Sequence, residues 1–159
     1  MADIWVTSDT HFNHNNIIRY CNRPFEDYNH MNEILIERWN SVVKPQDKIY
    51  HLGDFYIGYS AKSILTRLNG HKRLILGNHD NGKDQDIQRH FEKISMWRMF
   101  PEFKLMLTHV PIHEASFRHK CELNVHGHTH DKGSPEGPYK CVCVELTNYT
   151  PVNIEELKL

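Results

Sequence analysis

Five apolar runs, each followed by polar residues, are the feature that most constrains the fold of this 159-residue sequence. Runs of this length and composition are typical of buried strands. Apolar side chains at helical spacing predict helices over 30–43 and 60–68, and a third helix is expected over 84–91. Strands that alternate with helices favour an α/β fold in which helices pack on a sheet. The runs are residues 3–9, 48–54, 73–80, 103–109 and 123–128.

Each run ends in side chains that can bind metal ions. Sites form at the carboxyl ends of strands in such folds, so we expect these side chains to converge. Carboxylate, imidazole and amide oxygen, without thiolate, suit Mn²⁺, Fe²⁺, Co²⁺, Ni²⁺ or Zn²⁺. One ion needs about four to six donors, whereas seven are present, which predicts two ions bridged by one carboxylate. The seven are Asp9, His11, Asp54, Asn78, His109, His128 and His130.

The charge of such a centre indicates an anionic substrate. Two divalent cations together with Asp9, Asp54 and a bridging hydroxide leave a net positive charge, which suits a phosphate group. The ions would lower the pKa of bound water toward neutrality. His79, beside Asn78, would remain free to protonate the leaving oxygen.

The stretch "NVHGHTHDKG" (124–133) places His126, His128 and His130 in alternation. On a continuous strand all three would share one face. If Gly127 begins a turn, the alternation stops, and His128 and His130 can serve different ions while His126 stays on the strand. We therefore expect His126 to be a core or supporting residue rather than a ligand.

For the other histidines and the cysteines, the sequence gives weaker indications of a role in a site. His51 precedes a turn and is expected to be a hydrogen-bonded core residue, whereas His113 could face the site or solvent. Residues 139–146 predict more sheet, with antiparallel pairing as one option, and would place Cys141 and Cys143 on one face of a strand. No second Cys or His pair at finger spacing follows, so a structural zinc site is not favoured and reduced thiols are expected.

Size and charge limit the functional classes. The length predicts one domain, 1–159, with a hydrophobic core. A net charge of -1 gives no overall attraction to nucleic acid or membrane. The N-terminus lacks a signal-like pattern, and no apolar stretch approaches the ~20 residues that span a bilayer. We therefore expect a cytoplasmic protein.

Three residues near the first run are candidate substrate contacts. Asn13 and His14 could face the substrate, or Asn13 could cap a helix over "NNIIRY" and His14 be exposed. Arg23 could donate two hydrogen bonds to a phosphate, or pair with Glu26 or Asp27. The basic cluster "FRHKC" (117–121) could meet a nucleotide, although such clusters are usually solvated.

The motifs "DTH" (9–11), "GD" (53–54), "GNHD" (77–80), "THVP" (108–111) and "GHTH" (127–130) occur in the order of the calcineurin-like metallophosphoesterase superfamily, which the chain resembles. The stretches "DTHFNHNNII", "NRPF" and "YHLGDF" are further similar to a small, cap-less subgroup found in bacteria and their phages. The resemblance implies an α/β fold, a two-sheet β-sandwich flanked by α-helices in four layers, α/β/β/α.

The resemblance also implies residue roles. Asp9, His11 and His130 would hold the first metal ion, and Asp54 would bridge. Asn78, His109 and His128 would hold the second. His79 would be the catalytic histidine near the leaving group, and Asp80 would orient His79 or its loop. We expect two divalent ions, Mn²⁺ first, with Fe, Zn, Ni or Co as alternatives.

The predicted function is a dinuclear phosphoesterase in which a metal-bridging hydroxide attacks phosphorus and His79 assists the leaving group. A short chain without a cap favours phosphodiesters, including nucleotide-like molecules, over monoesters. A small phosphate ester is thus the expected partner, without a membrane role, and the oligomeric state stays open. The alternatives are a nuclease, which the near-neutral charge does not favour, and a non-catalytic metal-binding scaffold or interaction protein.

Overall fold

The described part of this computed structural model, residues 1–117 and 119–158, contains nine strands and four α-helices. The helices are α1 (Asn15–Tyr20), α2 (Tyr28–Val42), α3 (Lys62–Leu65) and α4 (Gln85–His90). The strands are β1 (Ile4–Thr7), β2 (Lys48–His51), β3 (His71–Ile75), β4 (Lys93–Ser95), β5 (Arg98–Phe100), β6 (Leu105–Thr108), β7 (Leu123–His126), β8 (Tyr139–Cys141) and β9 (Val152–Asn153).

The strands form two mixed sheets. The first has the order β4-β3-β2-β1-β9, with β1 to β4 parallel and β9 antiparallel to β1. The second has the order β5-β6-β7-β8, with β6 to β8 parallel and β5 antiparallel to β6. Thr7 pairs with His51 and His51 with Leu74, so the carboxyl ends of β1, β2 and β3 lie at one edge.

Two hydrophobic cores hold these layers together. In the first core, apolar residues of all four α-helices pack with Ile49 and Leu74 of the first sheet. The second core lies between the sheets, where Val6, Leu52 and Ile75 meet residues such as Leu107 and Val125. The prediction of an α/β fold with two sheets flanked by helices is confirmed. The buried apolar residues of the described α-helices belong to the first of these cores.

The helix α2 shows how local sequence sets this packing. The side chain of Asp27 caps it by accepting a hydrogen bond from the His30 N–H, at 2.9 Å. Leu35 and Trp39, four positions apart, are both buried, since such residues share one helix face. The Trp39 indole N–H also donates to the Asn69 carbonyl at 2.9 Å, which fixes the helix against the chain that leads into β3.

The predicted strands are confirmed with shorter bounds, because the polar residues after each apolar part form loops. The predicted helix over 60–68 contracts to α3, where Ser60 accepts a hydrogen bond from the Lys62 N–H. Residues 139–146 form a strand only over β8, which is parallel to β7, followed by a 3-10 turn at Val144–Leu146. The strands β4 and β5 were not predicted.

The second sheet has an outer face that points away from the core. Along β7, side chains alternate between the core and this outer face. Leu123 and Val125 of β7 enter the core between the sheets, so Asn124 and His126 point the other way. The segment after β6 covers this face, because the Asn124 side-chain oxygen accepts from the Ile112 N–H at 2.9 Å. The Tyr139 hydroxyl also donates to the Ile112 carbonyl, at 2.7 Å.

Within the described ranges, no helix has the length and apolar character needed to cross a membrane.

Candidate metal centre

The seven predicted metal ligands lie at the carboxyl ends of strands from both sheets. Four of them follow β1, β2 and β3 of the first sheet, and the other three follow β6 and β7 of the second. Five of them have a backbone in the left-handed region, with φ values between 50° and 73°. Such a conformation costs roughly 1–2 kcal/mol for a residue other than glycine and is concentrated at functional sites. The five are Asp9, His11, Asp54, His128 and His130.

We call Asp9, His11 and His130 the first ligand group, because their ligand atoms lie within 4.8 Å of one another. Asp9 Oδ1 is 3.8 Å from His11 Nε2 and 3.7 Å from His130 Nε2. The other oxygen of Asp9 accepts hydrogen bonds from the His128 N–H and the Ser8 hydroxyl. Burial alone would raise the pKa of Asp9, but the adjacent histidines and Ser8 outweigh it, and the pKa is lowered.

The second ligand group consists of Asn78, His109 and His128. Asn78 Oδ1 lies 2.8 Å from His109 Nε2 and 3.1 Å from His128 Nδ1. His109 Nδ1 is 2.7 Å from the Leu52 carbonyl oxygen, which places a proton on Nδ1. In the neutral ring, Nε2 then presents a lone pair toward the oxygen of Asn78. A shared cation would satisfy both atoms.

Asp54 lies between the two groups. Its Oδ2 is 3.6 Å from His11 Nε2 and 3.5 Å from His109 Nε2. Its Oδ1 accepts a hydrogen bond from the His79 N–H at 2.9 Å, which fixes the rotation of the carboxylate. One oxygen therefore faces both groups at nearly equal distance, as a bridging ligand must.

Two buried atoms without partners test whether these residues suit a cation. Asp9 Oδ1 and His11 Nε2 make no hydrogen bond to any residue that the structure describes, although both are buried. A buried polar atom left in this state costs about 1–3 kcal/mol. A divalent ion would bind both, and the oxygen and nitrogen donors suit a borderline or hard ion. The residues fit the two-metal prediction.

Close contact between loops explains two glycines in the motifs. A side-chain carbon at Gly77 would collide with the Asp54 carboxylate. A side-chain carbon at Gly127 would collide with Ser8 and the Asp9 carboxylate. Any larger residue at either position would push a candidate ligand out of place.

His130 is oriented by a buried ion pair. Its Nδ1 is 3.0 Å from Glu145 Oε2, and Arg23 contacts the same oxygen at 2.7 Å through one guanidinium nitrogen. Burial acts to lower the pKa of His130, but the hydrogen bond to Glu145 and the negative charges of Glu145 and Asp9 together outweigh it, so the pKa is raised. Histidines that bind metals commonly have such a carboxylate on their other nitrogen, which directs Nε2 toward the ion.

Arg23 is not placed to bind a phosphate, and the expected pairing with Glu26 or Asp27 is wrong. Its side chain is buried against Glu145, and it donates to the carbonyls of Asp9 and Thr10 at 2.7 Å each. The guanidinium thus fixes the loop that carries the first ligands. Its partner follows β8, far along the chain.

His79 and Asp80 are neighbours in the chain but differ in their surroundings. His79 is exposed, and its ring lies 5.7 Å from the His11 ring, between centroids. The carboxylate of Asp80 accepts hydrogen bonds from the N–H groups of Asp54, Phe55 and Gly77. Asp80 therefore ties the loop of Asp54 to the loop of Asn78 and His79, and its role in orienting His79 for catalysis stays a prediction.

Asn13 and His14 lie at the edge of the first ligand group. His14 Nδ1 is 3.1 Å from His11 Nδ1, and the two rings stack. Burial, with added repulsion from His11 and His79, lowers the pKa of His14. Asn13 does not cap α1; its backbone N–H donates to the Asn32 side-chain oxygen, and its own side-chain oxygen accepts from the Asn32 amide. His14 therefore contacts a candidate ligand directly.

The remaining histidines that we singled out do not join the ligand groups. His126 is buried, with Nδ1 2.7 Å from the Gly127 carbonyl and Nε2 2.9 Å from the Ser134 hydroxyl. Burial lowers the pKa of His51 to about 3, and both of its ring nitrogens have partners, Thr10 and Gly53. His113 is exposed and caps a 3-10 turn. These positions agree with the expectations for His126 and His51.

The cysteines are all free thiols in the described residues. Cys143 is buried, and its sulfur lies 3.3 Å from the Asp9 carboxylate, while the Cys141 sulfur accepts from the Thr129 hydroxyl. Both therefore pack behind the first ligand group. Of the basic cluster over 117–121, Arg118 lies outside the described residues.

Glu145 was not predicted as part of the site, because no sequence pattern connects it with its partners. Its partners Arg23 and His130 are 122 and 15 positions away in the chain. No spacing rule connects an acid after β8 with an arginine before α2. Only the packing of the two sheets brings them together.

Comparisons with known proteins agree with this geometry. Residues 3–142 match the family model described as a calcineurin-like phosphoesterase superfamily domain. The chain is 37% identical to the uncharacterized protein MJ1445 of Methanocaldococcus jannaschii, over 98% of this chain and 89% of that protein. It is 27% identical to the Gene 66 protein of Mycobacterium phage L5, over 82% of this chain and 78% of the phage protein.

A solved structure is similar over its whole length. It is the crystal structure of AQ665 from Aquifex aeolicus, a protein of unknown function, with a TM-score of 0.78 and 29% identity. The match covers 99% of this chain and 98% of that one. The superfamily typically binds two divalent metal ions, and the described residues supply His and Asp clusters for them. The phage relatives fit the small, cap-less subgroup. The chain belongs to the calcineurin-like phosphoesterase superfamily.

Proposed function

We propose that the protein is a dinuclear metal-dependent phosphodiesterase that acts on small esters, including nucleotide-like ones. The observation that carries the proposal is the position of Asp54 Oδ2, 3.6 Å from one ligand group and 3.5 Å from the other. Two divalent ions, with Mn²⁺ as our first choice, would supply positive charge for the phosphoryl oxygens and water of lowered pKa.

The residues around this carboxylate have separate tasks in the proposal. Asp9 and Asp54 hold negative charge between the imidazoles, so that cations are favoured at both ligand groups. His79 is exposed beside His11 and can give a proton to the leaving oxygen. Asp80 keeps the loops of Asp54 and His79 in register through its three backbone hydrogen bonds.

Two features favour a diester over a monoester. Asn78, His79 and His128 are exposed, so a second substituent on phosphorus has room to leave the site. In addition, the Arg23 guanidinium is already paired with Glu145 and does not face the ligand groups. A diester carries one negative charge where a monoester can carry two, and therefore depends less on an added arginine.

The test is Mn²⁺-dependent hydrolysis of bis-p-nitrophenyl phosphate by the wild type and by His79→Ala and Asp54→Ala. We expect His79→Ala to lower kcat by roughly 10²–10⁴-fold, as for the loss of a general acid. We expect Asp54→Ala to lower it further, because both ligand groups lose a donor. The wild type should prefer this diester to p-nitrophenyl phosphate in kcat/KM.

A matched control is His71→Ala. His71 is exposed at the other end of β3 from Asn78 and pairs with Glu92 at 3.0 Å. We expect this variant to retain wild-type hydrolysis. Equal rates for the wild type, His79→Ala and Asp54→Ala with each of Mn²⁺, Fe²⁺, Co²⁺, Ni²⁺ and Zn²⁺ would contradict the proposal and favour a non-catalytic scaffold.

A further inference from the structure

A cavity of about 670 Å³ opens directly beside the second ligand group. Asn78 and His109, two predicted metal ligands, form part of its wall. Pockets for small organic ligands are typically ~300–1,000 Å³ in volume. The cavity is therefore large enough for an organic substituent of the proposed ester, and it is continuous with the place where the phosphate would bind.

The rest of this wall is apolar. Its apolar side chains come from the end of β3, the β4–β5 connection, β6 and the segment after β6; they are Leu76, Met96, Trp97, Met106, Val110 and Ile112. Three of the six are large hydrophobic residues on the surface: Met96 is 67% exposed, and Trp97 and Val110 are 43% exposed each. Apolar residues gathered at one concave surface indicate a binding site.

The chain connection places Met96 and Trp97 at this mouth. They are the two residues between β4, at the edge of the first sheet, and β5, at the edge of the second. A connection this short keeps the backbone of both residues where the edges of the two sheets meet. Trp97 is thereby presented at the cavity by the fold itself.

The charge of the described wall does not favour a second phosphate as the occupant. The described residues that line the cavity include no lysine or arginine. The acid among them, Asp80, is already occupied with three backbone N–H groups. A path for a polynucleotide would need cations along it. The wall suits an uncharged group.

We propose that this cavity binds a flat, uncharged aromatic substituent of the phosphate ester, with a nucleobase as the favoured case and Trp97 as the residue that stacks on it. The proposal rests on the proposed phosphoesterase function, since it names the substrate class of that site. Tryptophan stacks on any base because every base has a π-face. The exposed Ser116 hydroxyl lies on the same wall and can meet a polar edge.

The first test compares ligands that differ only in the aromatic group. Dissociation constants of AMP and ribose 5-phosphate are measured by titration calorimetry on the Mn²⁺-loaded protein, with phosphate release followed in the same samples. We expect AMP to bind about 5- to 150-fold more tightly, which is the range of one base–aromatic stack. Phenyl phosphate against methyl phosphate provides a second pair, without a base.

Variants then locate the effect. The AMP ratio is the dissociation constant of ribose 5-phosphate divided by that of AMP. We expect this ratio to fall to within about twofold of one in Trp97→Ala. In Trp97→Phe the preference for AMP should be partly retained, because a phenyl ring still stacks. Thermal unfolding of both variants shows whether they fold. The matched control is Tyr20→Ala, which removes an aromatic ring that is 68% exposed on α1, and its ratio should equal that of the wild type.

The outcomes separate this proposal from the proposed function. Discrimination by the AMP pair alone identifies a nucleobase, and discrimination by both pairs identifies aromatic groups in general; either supports the proposal. Ratios near one in both pairs, with hydrolysis of bis-p-nitrophenyl phosphate intact, overturn the cavity assignment alone. Ratios that are the same in Trp97→Ala and in the wild type also overturn the cavity assignment alone. Base-dependent binding without hydrolysis of any ester overturns the phosphoesterase function and leaves the cavity assignment supported.

Discussion

The two ligand groups differ in how they meet solvent. In the first group, Asp9 and His11 are 0% and 2% exposed, and His130 is only partly accessible. In the second group, Asn78 and His128 are exposed, although His109 is 5% exposed. The first group is also backed by a buried ion pair, whereas the second adjoins an apolar cavity.

This difference indicates that the two metal ions would have unequal roles. Buried donors held by further hydrogen bonds lose little freedom when an ion binds, so they bind it tightly. Exposed donors next to a cavity let an ion exchange ligands with substrate. We therefore expect a tightly held ion at the first group and a labile ion, in contact with substrate, at the second.

The largest expected effect is a difference between His11→Ala and Asn78→Ala. Removing His11 takes a donor from the tight group and should lower its affinity for Mn²⁺ by more than the ~10–100-fold typical of a supporting residue. Asn78→Ala should weaken only the labile ion and leave about one ion per chain after gel filtration. Metal analysis of both proteins, with a chelator competition, measures this. If Asn78→Ala loses the tight ion and His11→Ala keeps it, the comparison is reversed.

An intermediate effect is expected for Glu145→Gln. The amide keeps the shape of the side chain but removes the charge that orients His130, 3.0 Å away. The affinity of the first group for Mn²⁺ should fall roughly 10–100-fold, with the second group unchanged. Chelator competition measures the affinity, and thermal unfolding shows whether the loss of the Arg23 pair has unfolded the protein.

A matched control for Glu145→Gln exists on the surface. His71 and Glu92 form a similar pair at 3.0 Å, but both side chains are about half exposed, at 53% and 50%. Glu92→Gln removes the same charge far from the ligand groups and should leave metal affinity as in the wild type. An equal loss in the two variants would show that Glu145 acts through overall charge or stability.

The smallest effect on metal binding is expected for His126→Ala, measured against His128→Ala. His126 is buried on the outer face of the second sheet with both ring nitrogens in hydrogen bonds, so its loss should lower the free energy of unfolding by about 1–3 kcal/mol. Its metal content should equal that of the wild type, whereas His128→Ala should lose the labile ion. Urea unfolding and metal analysis give both values. Comparable metal loss in the two variants would make His126 a ligand.

The part of the site that could be predicted from the sequence is local in the chain. Each apolar run ends where its polar residues begin, so Asp9, Asp54 and His109 could be assigned to strand ends from their immediate neighbours. Parallel pairing then brings those ends together without further information. The turn at Gly127 was also visible locally, and it separates His126 from His128.

The parts that could not be predicted depend on distant contacts or on very short elements. The alternatives for Arg23 were a phosphate or an acid a few positions away, whereas the structure pairs it with Glu145, which is 122 positions away. The strands β4 and β5 have three residues each, too few to show alternation. For the same reason the cavity wall at Trp97 had no signal, because it exists only where the edges of two sheets meet.

The division of the ligands between two sheets makes the centre sensitive to residues that never touch it. Asp9, His11, Asp54 and Asn78 come from one sheet, and His109, His128 and His130 from the other. Catalytic geometry tolerates displacements of only about 0.5 Å. A sliding motion of one layer over the other by that amount would separate the two halves of the site while each sheet remained intact. The apolar residues between the sheets, such as Leu107 and Ile75, therefore keep the ligands of one sheet in position relative to those of the other, in addition to stabilising the fold.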